Sequence, residues 1–210
     1  MNARNRLLSR VVLWGLLGLA GMAAAQEGII TFEPGPGAGQ GKHIVFVCGE
    51  WEYRCEESLP MLARILAQRH GFKCTVLVSM NPKDGTVDPS VKNNIPGMGV
   101  LKSADMMVVF AMDLTLPDAQ MKPYIEFLES GKPVFGIRCT LLSFCYDQNS
   151  PYARFDVGNG GYATELFGES WKGHIPRQMN ILAAKSPVLR SLCACPPHPF
   201  LEFDLRQPSL

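Results

Sequence analysis

Closely spaced metal ligands are what this sequence most plainly lacks. It has four histidines and seven cysteines in 210 residues, with no His-x-His and no Cys-x-x-Cys pair. Compact zinc sites depend on such spacings, so no metal is expected, and no cofactor is indicated either. Cys193-Ala194-Cys195 is a close pair, but it sits in a proline-rich stretch. Charge of one sign is also missing. The formal net charge is +1, and three arginines within the first ten residues account for more than that, so nothing steers the remainder toward nucleic acid or an anionic membrane. Beyond residue 25 no run is long and apolar enough to cross a bilayer, which excludes a stable membrane span in a processed chain.

What is present begins with an export signal. Arg4, Arg6 and Arg10 precede a nearly unbroken apolar run over residues 11–22, and Ala23, Ala24 and Ala25 supply small residues for a peptidase. Cleavage before Gln26 is expected, with an uncleaved anchor as the alternative, and the destination is periplasmic or extracellular. About 185 residues would remain, enough for one domain with a sizeable core. Cys48 and Cys74 fall inside apolar runs and read as buried small hydrophobes. With an odd total, at least one thiol is unpaired within the chain, and the pairing itself is not legible.

Residues 33–41 alternate proline and glycine with small residues and read as a tether within a linker over 26–41. Their glycines precede a strand instead of following one, which argues against a dinucleotide fingerprint. The run at 42–48 is apolar and β-branched and predicts a strand buried on both faces. After a polar loop at 50–57, Ser58 is an expected N-cap and Pro60 an early helical residue. Leu59, Leu62, Ile65 and Leu66 form the expected apolar face, and Gly71 the stop. A strand at 72–80 completes a βαβ unit.

A long turn-rich connection follows over 81–102, of the kind that is usually functional or mobile. A third strand is expected at 103–112. A helix over 117–130 carries Met121, Tyr124, Ile125 and Leu128 on one face, with Pro123 expected to kink it or delay its start. A fourth strand is expected at 133–138. Four buried strands alternating with helices predict a doubly wound, mainly parallel α/β sheet, whose ligands bind outside the strand carboxyl ends.

That rule selects the candidate residues. Glu50, Trp51, Glu52, Tyr53 and Arg54 follow the first strand and mix acids, aromatics and a base, as suits a polyhydroxylated ligand; the alternative is a solvated loop. Asp113 follows the third strand. Arg138 and Cys139 follow the fourth, where Cys139 is a candidate nucleophile with His174 as its only downstream base, or else a structural thiol. Glu169 and Trp171 lie in a polar-aromatic segment after the glycine turn at 158–161.

Several segments, read in order, resemble the trehalose-utilisation (ThuA-like) family, especially its exported members from planctomycete-type bacteria. They are Glu52-Tyr53-Arg54 with Glu56-Glu57, Leu59-Pro60-Met61-Leu62-Ala63, His70-Gly71-Phe72-Lys73, Asn94-Ile95-Pro96-Gly97, Leu116-Pro117-Asp118, Gly131-Lys132-Pro133-Val134, Gly136-Ile137-Arg138 and Leu166-Phe167-Gly168-Glu169-Ser170-Trp171. The resemblance runs over about 42–174. It implies a flavodoxin-like, class I glutamine-amidotransferase-like fold and a saccharide ligand, trehalose-type or a keto-sugar derivative.

Two departures stand out. Ser143 occupies the place where such proteins tend to carry a histidine before Phe144, and the family alignment puts Arg138, not Cys139, at the amidotransferase nucleophile position. Past His174 the resemblance stops, and residues 175–210 read as a divergent tail, as a truncated or frameshifted frame would produce. The expected function is therefore saccharide binding or processing, with a Cys139-dependent amidohydrolase and an inactive fragment as alternatives.

Overall fold

A computed structural model of the chain describes residues 28–159 and 161–168. The expected signal peptide at 1–25 and the expected tail at 175–210, together with Glu169, Trp171 and His174, lie outside them. No helix among the described residues is long and apolar enough to cross a membrane.

The chain lays down β1 (Ile29–Phe32), β2 (His43–Gly49), α1 (Cys55–His70), β3 (Lys73–Val78), β4 (Met106–Ala111), α2 (Asp118–Glu129), β5 (Val134–Gly136) and α3 (Gly161–Phe167). Strands β2 to β5 are parallel and lie in the order β3-β2-β4-β5, with β1 added antiparallel outside β3. The fold is a doubly wound, mainly parallel α/β sheet. Every residue of β2 is buried, which is why its sequence runs apolar without alternation. One face packs Phe46, Cys48, Cys74, Val76 and Phe110 under α1. The other packs Val45, Val47, Met107 and Val109 against α2 and the 3-10 turn at Met98–Ser103. The sheet grows outward in both directions from β2, so its topological switch lies between β2 and β4.

Several local expectations are corrected. Residues 29–32, inside the expected linker, form β1, pairing Ile29 with Leu77 and Phe32 with Cys74. The expected tether that follows is held down: Gly35 donates to the Ala67 carbonyl at 2.9 Å and Gly39 to the His70 carbonyl at 2.8 Å. These bonds dock the segment on the last turn of α1, where the Ala67 carbonyl also accepts the Gly71 N–H at 3.1 Å.

Helix α1 starts at Cys55, three residues before the expected cap, because Arg54 adopts a left-handed conformation (φ 55°) that turns the chain into the helix early. Glu56 and Glu57 then sit in the first turn, where the helix dipole favours them. Its buried stripe is Cys55, Leu59, Ala63 and Ala67. Leu62 and Ile65 are exposed at 37% and 51%, contrary to the expected face. Small residues at four-residue spacing let the helix lie close on the sheet, and the larger ones turn outward.

Pro123 does not delay α2, which runs from Asp118 to Glu129 with the proline inside it. Finally, β5 stops at Gly136, short of the expected 138, because Arg138 turns left-handed (φ 46°) and opens a 3-10 turn, Arg138–Leu142.

Candidate functional site

Three non-glycine residues among those described have positive φ: Arg54, Asp113 and Arg138. They sit in the loops following β2, β4 and β5, all at the carboxyl edge of the sheet. Left-handed backbone is uncommon for side chains of this kind, and such residues concentrate where a fold fixes a site.

The β2 loop is built around Glu50. Its side chain has no solvent exposure, and its carboxylate accepts the backbone N–H of Glu52 and, at 2.8 Å, that of Tyr53. A buried carboxylate needs such partners to offset its lost hydration. Glu50 thus shapes the loop from beneath, and this leaves Trp51 and Tyr53 half-exposed above it.

Tyr53 meets residues of two other strands. Its ring lies nearly parallel to Phe110 of β4, at a centroid distance of 6.4 Å, and the Arg138 guanidinium stands 3.8 Å from its ring centroid on the β5 side. Its interaction with Tyr53 is the main influence raising the Arg138 pKa above its ordinary value. Behind Arg138, the turn is fastened by Thr140. Its hydroxyl accepts the Ile137 N–H at 2.9 Å and lies 2.7 Å from the Val109 carbonyl of β4 as donor. Beyond it, Asp113 N–H donates to the Leu142 carbonyl at 2.9 Å and Leu114 N–H to the Ser143 carbonyl at 2.7 Å, which ties the β4 and β5 loops together.

Cys139 points into the same region. Ligand atoms of Glu50, Glu52 and Cys139 all fall within 4.8 Å of one another. Burial, followed by the charges of Glu50 and Glu52, pushes the thiol pKa up, while Arg138 opposes that shift. A thiol whose pKa is raised by burial and by nearby carboxylates is a poor nucleophile. Neither described histidine assists it: His43 opens β2 at the opposite edge and His70 ends α1. As a cation site the trio is also weak. Both Glu50 oxygens already serve backbone N–H groups, and the Arg138 charge competes nearby.

The structure therefore brings Glu50, Glu52, Tyr53, Arg138 and Cys139 together. Arg54 turns away to pair with Glu57. Asp113 stands further along the same edge, 3.1 Å from the Lys92 ammonium. Glu169, Trp171 and His174 are outside the described residues.

Sequence reasoning missed Phe110 and Lys92. Phe110 read as one more core residue of an apolar strand, and nothing in the sequence signals that Tyr53 rests on it. Lys92 lies in the long, turn-rich 81–102 connection, where no single residue stands out in the sequence. That connection borders a shallow groove of about 490 Å³, lined by Asn81, Lys83, Ser90, Lys92, Asn93 and Thr115 among others. The groove shares no lining residue with the Tyr53–Arg138 cluster, so the edge offers two adjacent polar surfaces.

Comparison of the chain with known protein families, with curated proteins and with solved structures finds no match.

Proposed function

We propose that this chain is an exported protein of the ThuA-like type that binds or processes a saccharide at the carboxyl edge of its parallel strands. The observation that carries the reading is the meeting of Glu52, Tyr53 and Arg138 from two separate loops beside the β2/β4 switch. In doubly wound sheets this is where ligands enter. An aromatic face suits the C–H surface of a sugar ring, a carboxylate accepts its hydroxyl hydrogens, and a guanidinium donates to hydroxyl, keto or carboxyl oxygens. The ordered segments that resemble the family support the choice of saccharide over other polar ligands, since the fold alone names no ligand.

Arg138 at the turn after β5 fits binding better than nucleophilic attack. The turn leads from strand to helical turn with a left-handed residue at its apex, the place where hydrolases of related architecture present a nucleophile. Here that place holds a group that can only donate hydrogen bonds. A Cys139-dependent amidohydrolase is the weaker reading, because burial first, and then the neighbouring carboxylates, push the thiol pKa up.

A thermal-shift screen of the full chain against saccharides and keto-saccharides tests the proposal. A ligand at 100 times its dissociation constant stabilises by about 2.7 kcal/mol, or roughly 5–10 °C for a domain of this size. The expected result is a saturable shift that Arg138→Gly diminishes. A panel of mono-, di- and keto-saccharides that leaves the melting temperature unmoved at millimolar concentration would sink the saccharide reading.

A further inference from the structure

Cys48 is the penultimate residue of β2 and Cys55 the first of α1, so the residues between them are the whole loop that presents Glu50, Glu52 and Tyr53. Their Sγ atoms lie 2.8 Å apart, less than 1 Å beyond the roughly 2.05 Å of a disulfide bond. Both thiols are buried, at 2% and 0% exposure. Cys55 is oriented by the loop it would close: the Glu50 N–H donates to its sulfur at 3.3 Å, and its own S–H donates to the Glu50 carbonyl at 3.1 Å. The other buried thiol among the described residues, Cys74, stands opposite Ile44, toward the far end of β2. Cys48 and Cys55 are thus already matched to each other.

We propose that Cys48 and Cys55 are a covalent modification site, closing to a disulfide that clamps the loop carrying the candidate binding residues. The step is thiol–disulfide exchange with a small disulfide oxidant such as oxidised glutathione. One thiol loses its proton and attacks the oxidant, releasing one glutathione thiol and leaving a mixed disulfide. The second thiol loses its proton, attacks the protein sulfur of that mixed disulfide, and expels the second glutathione. The protein gives up two electrons and two protons, and the oxidant leaves as two thiols. The contact with Cys55, and then burial, raise the Cys48 pKa. Exchange is therefore slow while both thiols are buried and requires the 49–54 loop to open.

The sequence supplies its own readout, since trypsin cleaves after Lys42, Arg54 and Arg64 and so separates Cys48 from Cys55. The full chain is equilibrated in oxidised glutathione until its thiol count is constant, then denatured in N-ethylmaleimide and digested. Peptides 43–54 and 55–64 are expected as one cross-linked species that reduction splits. The cross-link should persist in Cys139→Ser and vanish in Cys55→Ser. Recovery of both peptides as maleimide adducts, or of Cys48 joined to any other cysteine, overturns the proposal. The outcome is independent of whether any saccharide binds.

Discussion

The Arg138 guanidinium carbon lies 3.8 Å from the centroid of the Tyr53 ring, and the same ring stacks with Phe110, 6.4 Å away centroid to centroid. A charge from the β5 turn is thereby carried on an aromatic from the β2 loop, which rests in turn on a core residue of β4. Three chain segments far apart in sequence define one surface. The stack also fixes the direction in which Arg138 donates, which a long side chain on a free loop would not achieve.

Replacing Arg138 separates its backbone role from its side-chain role. Glycine accepts φ 46° without a Cβ clash, so Arg138→Gly is expected to unfold at the temperature of the parent or above it. A β-branched residue is strained there, and Arg138→Val should melt below both. Both substitutions should weaken saccharide binding by about tenfold or more, as expected for a lost charged hydrogen bond. Thermal unfolding and titration calorimetry on the same samples check both statements. Unchanged affinity in Arg138→Gly would remove Arg138 from the site.

Much of the fold is legible because burial on both faces leaves a plain sequence mark. The apolar runs of β2, β3 and β4 each stand between turn formers, and an alternation with helices leaves little but a parallel sheet. What is not legible depends on backbone conformation. Nothing in the identity of Arg54 or Arg138 announces positive φ, yet those two residues set the start of α1 and the end of β5. Leu59 and Leu66 of the expected α1 face do meet the sheet, but Leu62 and Ile65 turn outward for a related reason: periodicity favours large apolar residues, whereas the sheet selects Ala63 and Ala67 for close approach. At the site, the sequence places Glu52, Tyr53 and Arg138 at one edge but carries no sign of the stack on Phe110.

The docked glycine segment before β2 offers a sharp test of the difference between a tether and a packed strap. A Cβ at Gly37 would run into the backbone of His70 and Gly71, atoms that cannot rotate aside. Gly37→Ala is therefore expected to destabilise the fold by about 1–3 kcal/mol, the usual cost of overpacking. Gly41→Ala meets no atom within 4 Å and suffers only its left-handed φ of 79°. Chemical denaturation of the two variants compares them directly. A Gly37→Ala protein as stable as the parent would mean that the strap contributes nothing.

His43 ties acid stability to the amino edge of the sheet. Its ring nitrogens lie 3.1 Å from the Ser103 hydroxyl and 2.9 Å from the Thr75 hydroxyl, and its backbone N–H donates to Asp105 at 2.9 Å. Burial first, then the charge of Lys73, lower its pKa below the ordinary 6.5, against smaller opposing effects of Ser103, Asp105 and Glu33. The unfolded chain then takes up a proton before the folded one does. Stability should be level above about pH 6.5 and fall as pH drops below it, until the folded-state pKa is passed as well. Asp105, whose pKa is lowered by the His43 N–H and by Lys42, loses its contribution only in a separate window below its ordinary 3.8. Urea midpoints between about pH 5 and 7 thus isolate His43, and His43→Gln should flatten that slope. An equal slope in the variant would assign the effect elsewhere.

Cysteine labelling decides how much chemistry Cys139 is capable of. Among the described thiols, Cys145 is exposed, Cys139 partly covered, and Cys48, Cys55 and Cys74 buried. Burial pushes the Cys74 pKa up to about 11, and Cys139 is raised as well, by burial and by the carboxylates of Glu50 and Glu52. Only the thiolate reacts with iodoacetamide, so rate follows both exposure and ionisation. At neutral pH the native protein is expected to modify Cys145 first and Cys139 well after it, while the buried three react only on unfolding. Glu52→Gln removes one of the charges that oppose ionisation, and should speed Cys139 without changing Cys145. Peptide mapping over a time course measures each rate in one experiment. A nucleophile prepared for catalysis would show the reverse order, with Cys139 outrunning the more exposed thiol. That result, joined to loss of a hydrolytic turnover in Cys139→Ser, would replace saccharide binding at Arg138 with thiol chemistry one residue further along the same turn.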